Sequence, residues 1–167
     1  KTWHRSINRE DKHKRQYQLQ PIEEKESFKW LKAASQSKQV LSGVRSITVV
    51  ADRESDIYEF FCLAQQHNID LVLRSKSDRM LSNNQPMLSF LDSLPVMHHY
   101  DLAVLGDIRK GISKRTAQLQ VKWSEITIKK PLKNRDRNIS SGVKLYVVET
   151  KEEAAKGICW RLLTTHP

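Results

Sequence analysis

A β-branched run that ends on an aspartate, with an amphipathic helix directly behind it, constrains the fold of this chain most. Residues 47–51 read Ile-Thr-Val-Val-Ala, and Asp52 follows. Such near-continuous apolar character is typical of a strand buried on both faces of a parallel sheet. The next segment repeats apolar residues at helical spacing until His67-Asn68, and residues 69–73 form a second apolar run. We therefore expect a strand–helix–strand unit with a right-handed parallel crossover.

Asp52 lies where open α/β sheets place their chemistry, at the carboxyl end of a strand. Two further acids, Glu54 and Asp56, follow within four residues, and carboxylates are suitable ligands for a hard divalent cation. The alternative interpretation is local. Asp52 then caps the helix, and Glu54 and Asp56 favour its positive N-terminal end. These residues alone leave both interpretations open.

The pattern of the chain changes after Arg74, where polar residues precede short strands separated by turn-forming residues. Alternation such as Ala117 and Leu119 against polar neighbours predicts an antiparallel sheet with one solvent-facing side. We therefore expect an α/β fold in two parts, an α/β core at residues 1–74 and a mostly antiparallel β region at residues 75–167. The predicted strands of the second part are 100–105, 115–123, 125–128, 143–149 and 158–164, and a short helix is predicted at 86–94. In the first part a further helix is predicted to begin at Pro21.

The charge of the chain is strongly basic and unevenly distributed. There are 29 Lys and Arg residues against 19 Asp and Glu, which gives a net charge of +10. Between Leu102 and Val148, eleven basic residues face three acids, so this stretch holds most of the excess. A concentrated basic region favours a polyanionic partner, nucleic acid first, and contact through phosphates.

The two cysteines and the hydropathy of the chain bear on its environment. Cys62 and Cys159 lie far apart and form no metal-binding pair, so we expect buried, reduced thiols as in a cytosolic protein. No apolar stretch approaches the ~20 residues that span a bilayer, so we expect no membrane association and no signal peptide. Since the chain lacks an initiator Met and ends on Pro167 directly after a strand, we expect a fragment of a longer protein.

Four aromatic or imidazole side chains carry weaker signals. We expect Trp123 and Tyr146 in the core of the β region. We expect His98 and His99 in a solvated loop, because no acid or cysteine at metal-binding spacing accompanies them.

Four blocks of sequence resemble bacterial insertion-sequence transposases of the hairpin-forming, transposon-five-like DDE group. They read PIEEKESFKW, VADRESD, LRSK and WRLLTT and occupy residues 21–30, 50–56, 73–76 and 160–165. The blocks occur in the order found in that family and span nearly the whole chain. The resemblance implies an RNase H-like core, partial here, with a mostly β insertion subdomain after its fifth strand.

The resemblance makes Asp52 the second catalytic and metal-binding carboxylate of a two-metal Mg²⁺ site for in-line attack on phosphorus. It makes Glu54 and Asp56 parts of the motif that act as caps or pair with Arg. The family's first Asp would precede Lys1, and its final Glu, in a Tyr-Arg-Glu-Lys signature, would follow Pro167. Neither is present, so we expect this chain alone to be inactive in strand cleavage.

The resemblance also implies DNA-binding residues. Arg74 and Lys76 match positions that contact double-stranded transposon ends beside the active site. Arg53 is a further candidate, and the alternative is that it pairs with Glu54 or Asp56. Trp160 matches a residue that stacks on a flipped base, and its alternative is a place in the sheet core.

The implied full-length protein is a cytoplasmic, nucleoid-associated bacterial transposase that acts as a homodimer on DNA. The alternative function is a truncated, non-catalytic DNA-binding or inhibitor form of such an enzyme. The residues of the chain leave both functions open.

Overall fold

The molecule contains a six-stranded sheet with a parallel pair of strands at one edge. The computed structural model describes residues 19–106, 109, 111, 113–154 and 157–167. Within these ranges there are three α-helices, α1 (Phe28–Val40), α2 (Tyr58–His67) and α3 (Met87–Ser93), and two 3₁₀ turns, Ile22–Glu24 and Arg53–Ser55. The strands are β1 (Thr48–Ala51), β2 (Asp70–Arg74), β3 (His98–Val104), β4 (Arg115–Lys129), β5 (Gly142–Glu152) and β6 (Cys159–Thr164).

The strand order is β1-β2-β6-β5-β4-β3. β1 and β2 are parallel, with Ala51 opposite Leu73, and the remaining neighbours are antiparallel. The predicted strand–helix–strand unit and the predicted antiparallel region are therefore both confirmed, and the fold is mixed α/β. Asn68 ends α2 in the left-handed conformation with φ of 51°, where the sequence predicted the break.

One face of the sheet carries the hydrophobic core. A single buried cluster contains residues of all three helices together with the inward side chains of the strands, so the helices share this face. Central members are Phe60, Phe61, Leu71, Leu73 and Leu163, each fully buried. Leu71 and Leu73 alternate along β2 with more exposed neighbours, which is the pattern of a strand covered on one side.

On the opposite side of the sheet, here called the outer face, two residues are more exposed than the sequence predicted. β1 was expected to be buried on both faces, yet Val50 is 76% exposed, because β1 is an edge strand and the helices cover the other side. Trp123 was expected in the core and is 43% exposed on β4. Tyr146 lies on β5 on the same side and is partly buried.

The antiparallel part differs from the predicted strands in two places. Residues 115–129 form one continuous strand instead of two, because β4 pairs with β5 without interruption from Leu119 to Lys129. His98 and His99 belong to β3 and not to a loop, although both are exposed.

The boundary predicted between residues 74 and 75 coincides with the end of β2. Strands from both sides of that boundary join the same sheet, and the division into two domains stays a prediction. Cys62 is buried as expected, whereas Cys159 is partly exposed. Among the helices of the described residues, none combines the length and apolar character needed to cross a membrane.

We expect two valines of the sheet to respond differently to truncation. Val147→Ala removes two methyl groups from a fully buried position on β5 and should lower the free energy of unfolding by roughly 2–3 kcal/mol. The matched variant Val50→Ala acts on the outer face and should change it by less than about 0.5 kcal/mol. Urea denaturation measures both. Equal losses would mean that the outer face is buried in solution.

Candidate nucleic-acid interface at the carboxyl edge of β1 and β2

The parallel register of β1 and β2 brings Asp52 and Arg74 to one edge of the sheet. Ala51 lies opposite Leu73, so Asp52, the residue after β1, lies level with Arg74, the last residue of β2. We call Asp52, Arg53, Arg74, Lys76 and Trp160 together the carboxyl-edge site. Four of these five residues follow or end the parallel pair, and Trp160 lies on the neighbouring strand β6.

Asp52 is exposed and caps a 3₁₀ turn. Its backbone is extended, and its Oδ1 accepts the N–H of Arg53. The backbone carbonyl of Asp52 accepts a hydrogen bond of 2.6 Å from the hydroxyl of Ser55, which is fully buried. The capping interpretation is thus confirmed, with a 3₁₀ turn in place of the first α-helical turn. Within the described ranges the other carboxylate oxygen of this exposed residue accepts no hydrogen bond.

Asp56 is the centre of a buried polar network. Its side chain is fully buried and forms an ion pair with Arg79, whose side chain is 10% exposed. Oδ2 accepts the backbone N–H of Lys76 at 2.7 Å and that of Ser77 at 3.1 Å. The Arg79 guanidinium also donates to the carbonyl of Asp56 and lies 5.2 Å from the ring centre of Phe61. We call Asp56, Lys76, Ser77 and Arg79 the Asp56 network.

The Asp56 network fixes the backbone that carries Lys76. Because its carboxylate oxygens already accept several hydrogen bonds, Asp56 is a structural residue and not a free metal ligand. An Arg partner or a capping role was expected for Asp56, and Arg79 is that partner. Sequence reasoning did not identify Arg79 itself, because it lies 23 residues away and outside any local motif.

Glu54 and Arg53 do not form an ion pair with each other. Glu54 forms an exposed ion pair of 3.0 Å with Lys29 of α1, so its partner is a lysine of another element. Arg53 was a candidate partner for Glu54 or Asp56, and both acids are engaged elsewhere. The Arg53 side chain is exposed and makes no ion pair within the described part of the chain.

Arg74 and Trp160 are in direct contact. The Arg74 guanidinium lies 5.4 Å from the centre of the Trp160 ring, a distance suited to a cation–π interaction. Strand pairing holds them there, since Arg74 lies opposite Leu162 and the N–H of Ser75 donates to the carbonyl of Arg161 at 2.8 Å. Trp160 is 55% exposed, so it is not a core residue. Its stacking on a base stays a prediction for which this exposure is a requirement.

The neighbouring Arg161 points to the other side of β6 and serves the structure. Its Nε lies 2.5 Å from Oε2 of Glu149, which is 3% exposed. The two residues are direct partners in the β5–β6 pairing. The basic side chains of the carboxyl-edge site therefore remain Arg53, Arg74 and Lys76.

The carboxyl-edge site combines a single exposed carboxylate with three basic groups and one exposed indole. Within the described ranges, no group of three or more His, Cys, Asp or Glu side chains is placed to hold a metal ion. The arrangement is suited to holding phosphates and stacking a base. The sequence of this chain matches no protein-family model.

We expect the Asp56 network to contribute strongly to stability. Asp56→Ala leaves the nearly buried Arg79 guanidinium without its partner and should cost about 3–5 kcal/mol. Glu54→Ala removes an exposed ion pair from the same turn and should cost no more than about 1 kcal/mol. Chemical denaturation of both variants measures the difference, and similar small losses would show that the network is not important for the fold.

Proposed function

We propose that this chain is the central part of a cut-and-paste DDE transposase, which binds double-stranded transposon ends and contributes Asp52 to Mg²⁺-dependent strand cleavage. One observation carries the proposal. Three blocks that resemble this family, at residues 50–56, 73–76 and 160–165, lie far apart in sequence and meet on the adjacent strands β1, β2 and β6. A shared site explains why residues so distant in sequence belong to one motif set.

The fold supports the same proposal at a coarser level. The parallel pair β1–β2 with helices α1 and α2 on one side corresponds to what a partial RNase H-like core requires. The long antiparallel strands β4 and β5 correspond to the proposed insertion subdomain. Both correspondences concern architecture, so the argument for function depends on the carboxyl-edge site.

The oxygen atoms of the carboxyl-edge site can be compared with the ligands that Mg²⁺ needs. Mg²⁺ needs oxygen ligands from several directions, and the carboxyl-edge site contains one carboxylate, that of Asp52, with one oxygen already capping a turn. This set does not hold a pair of metal ions by itself. In the proposed full-length protein, Asp52 would supply one carboxylate ligand, held at the site by its backbone turn, and the other ligands would come from outside this chain.

The basic side chains have a clearer role. Arg74 is held against Trp160, and Lys76 extends from backbone fixed by the Asp56 network. Positively charged groups on fixed backbone can hold phosphates of a duplex in one register. Trp160 adds a partly exposed ring for an unstacked base. In the proposed homodimer on DNA, each chain presents one such site.

If Arg74 and Lys76 bind phosphates, their removal should change how the affinity for DNA depends on salt. Arg74→Gln/Lys76→Gln should lower affinity for duplex DNA and reduce the slope of log affinity against log salt by about 1.8, since each lost phosphate contact removes ~0.9. Lys38→Gln/Arg45→Gln removes the same charge from the last turn of α1 and from the segment before β1, away from the turn that follows Asp52, and should change the slope little. Fluorescence anisotropy measures both slopes, and a wild-type slope near zero contradicts DNA binding.

If Asp52 is a catalytic residue, one substitution should abolish DNA cleavage without abolishing DNA binding. In the full-length protein, Asp52→Asn should abolish Mg²⁺-dependent strand cleavage, because an amide lacks the charge of the carboxylate. The variant should still fold and bind DNA, since Asn caps turns as well as Asp does. Gel assays of nicking and binding measure the two activities. Retained cleavage would leave Asp52 as a cap, and a wild type that binds without cleaving would favour the non-catalytic alternative.

A further inference from the structure

The loop between β4 and β5, residues 130–141, is attached to the start of α2. The hydroxyl of Tyr58 donates to the carbonyl of Ser140 at 3.0 Å, and the side-chain amide of Asn134 donates to Oε1 of Glu59 at 2.8 Å. Tyr58 is 2% exposed, and this burial raises the pKa of Tyr58 to about 12. Its hydroxyl therefore stays a donor at physiological pH.

The β4–β5 loop is also ordered from within. The N–H of Asn134 donates to the carbonyl of Pro131 at 2.9 Å, and the N–H of Asp136 donates to Oδ1 of Asn134 at 3.1 Å. The N–H of Asn138 donates to Oδ1 of Asp136 at 2.8 Å, and the ammonium of Lys130 donates to the carbonyl of Asp136. Successive Asx turns of this kind fix loop backbone without a hydrophobic core.

The basic residues of the loop alternate with the residues that fix it. Asn134 and Asp136 bond to backbone groups, whereas Arg135 and Arg137 between and beyond them are exposed. These two guanidinium groups make no hydrogen bond or ion pair within the part of the chain that the structure describes. The loop is thus a fixed support that presents two unpaired positive charges to solvent.

The anchor of the loop lies close in the chain to the carboxyl-edge site. Tyr58 and Glu59 begin α2, and Asp56 of the Asp56 network lies directly upstream. We propose that the β4–β5 loop is a second phosphate-binding element of this protein, in which Arg135 and Arg137 contact the backbone of duplex DNA. The inference rests on the proposed function and adds to it a set of residues that no block of the resemblance contains.

The first test removes the charges. Arg135→Gln/Arg137→Gln should reduce the salt slope of binding to a duplex of about 30 base pairs by about 1.8 and lower affinity at 0.1 M salt at least tenfold. Lys38→Gln/Arg45→Gln is the control for net charge and should lower affinity far less. Fluorescence anisotropy at several salt concentrations measures both, with the whole chain in each case.

The second test removes the anchor and leaves the charge unchanged. Tyr58→Phe lacks the hydroxyl that holds Ser140, so the end of the loop at Ser140 must be held in place on binding, and affinity should fall about threefold to tenfold with the salt slope retained. Tyr146→Phe removes a hydroxyl that bonds to Glu125 on β4 instead and should bind like the wild type. Circular dichroism melting of both variants verifies that they are folded at the assay temperature.

The outcomes separate the two proposals. A wild type without salt-dependent DNA binding contradicts the proposed function and the loop together. If the wild type binds and Arg135→Gln/Arg137→Gln matches Lys38→Gln/Arg45→Gln, the loop proposal alone is wrong. If Tyr58→Phe binds as the wild type does, the anchor does not position the charges and that part of the inference fails.

Discussion

The ion pair between Asp56 and Arg79 is the interaction on which the carboxyl-edge site depends. Burying a carboxylate and a guanidinium is costly unless both are paired and hydrogen-bonded. Here the carboxylate also accepts two backbone N–H groups from the segment after β2. One side chain therefore joins the turn after β1 to the chain after β2. The loops at the ends of the two parallel strands are held to each other, and the side chains they carry keep a fixed relation.

Buried acids separate the structural basic residues of the molecule from the exposed ones. Arg79 and Arg161 face buried acids and are structural, whereas Arg53 and Lys76 are exposed. A net charge of +10 thus says little about where a polyanion binds. The positions of the acids decide which basic groups are neutralised within the fold and which remain for a partner.

The sequence predicts those features that local periodicity encodes. The unit from residue 47 to residue 73 was predictable because its apolar pattern switches from strand to helix and back within a short stretch. The exposure of Val50 was not, since burial of a strand face depends on which side the helices cover. The Asp56–Arg79 pair and the Tyr58–Ser140 contact join residues 23 and 82 positions apart, and no local pattern records such pairing. Of the carboxyl-edge site, the local sequence pattern predicts Asp52, and the resemblance adds Arg53, Arg74, Lys76 and Trp160. The contacts between these residues could not be predicted, because they form only when the strands pair.

The central position of β6 has a consequence for how the chain reaches its native state. Among the strands of the described residues β6 follows the other five in sequence, yet it lies between β2 and β5. Until residues 159–164 have left the ribosome, the early parallel pair and the later antiparallel hairpins are two pieces without a shared strand. Closure of the sheet depends on contacts of long sequence separation, which form slowly. The half-built sheet exposes unpaired strand edges during synthesis, so a nascent chain of this protein depends on β6 for protection against misassembly.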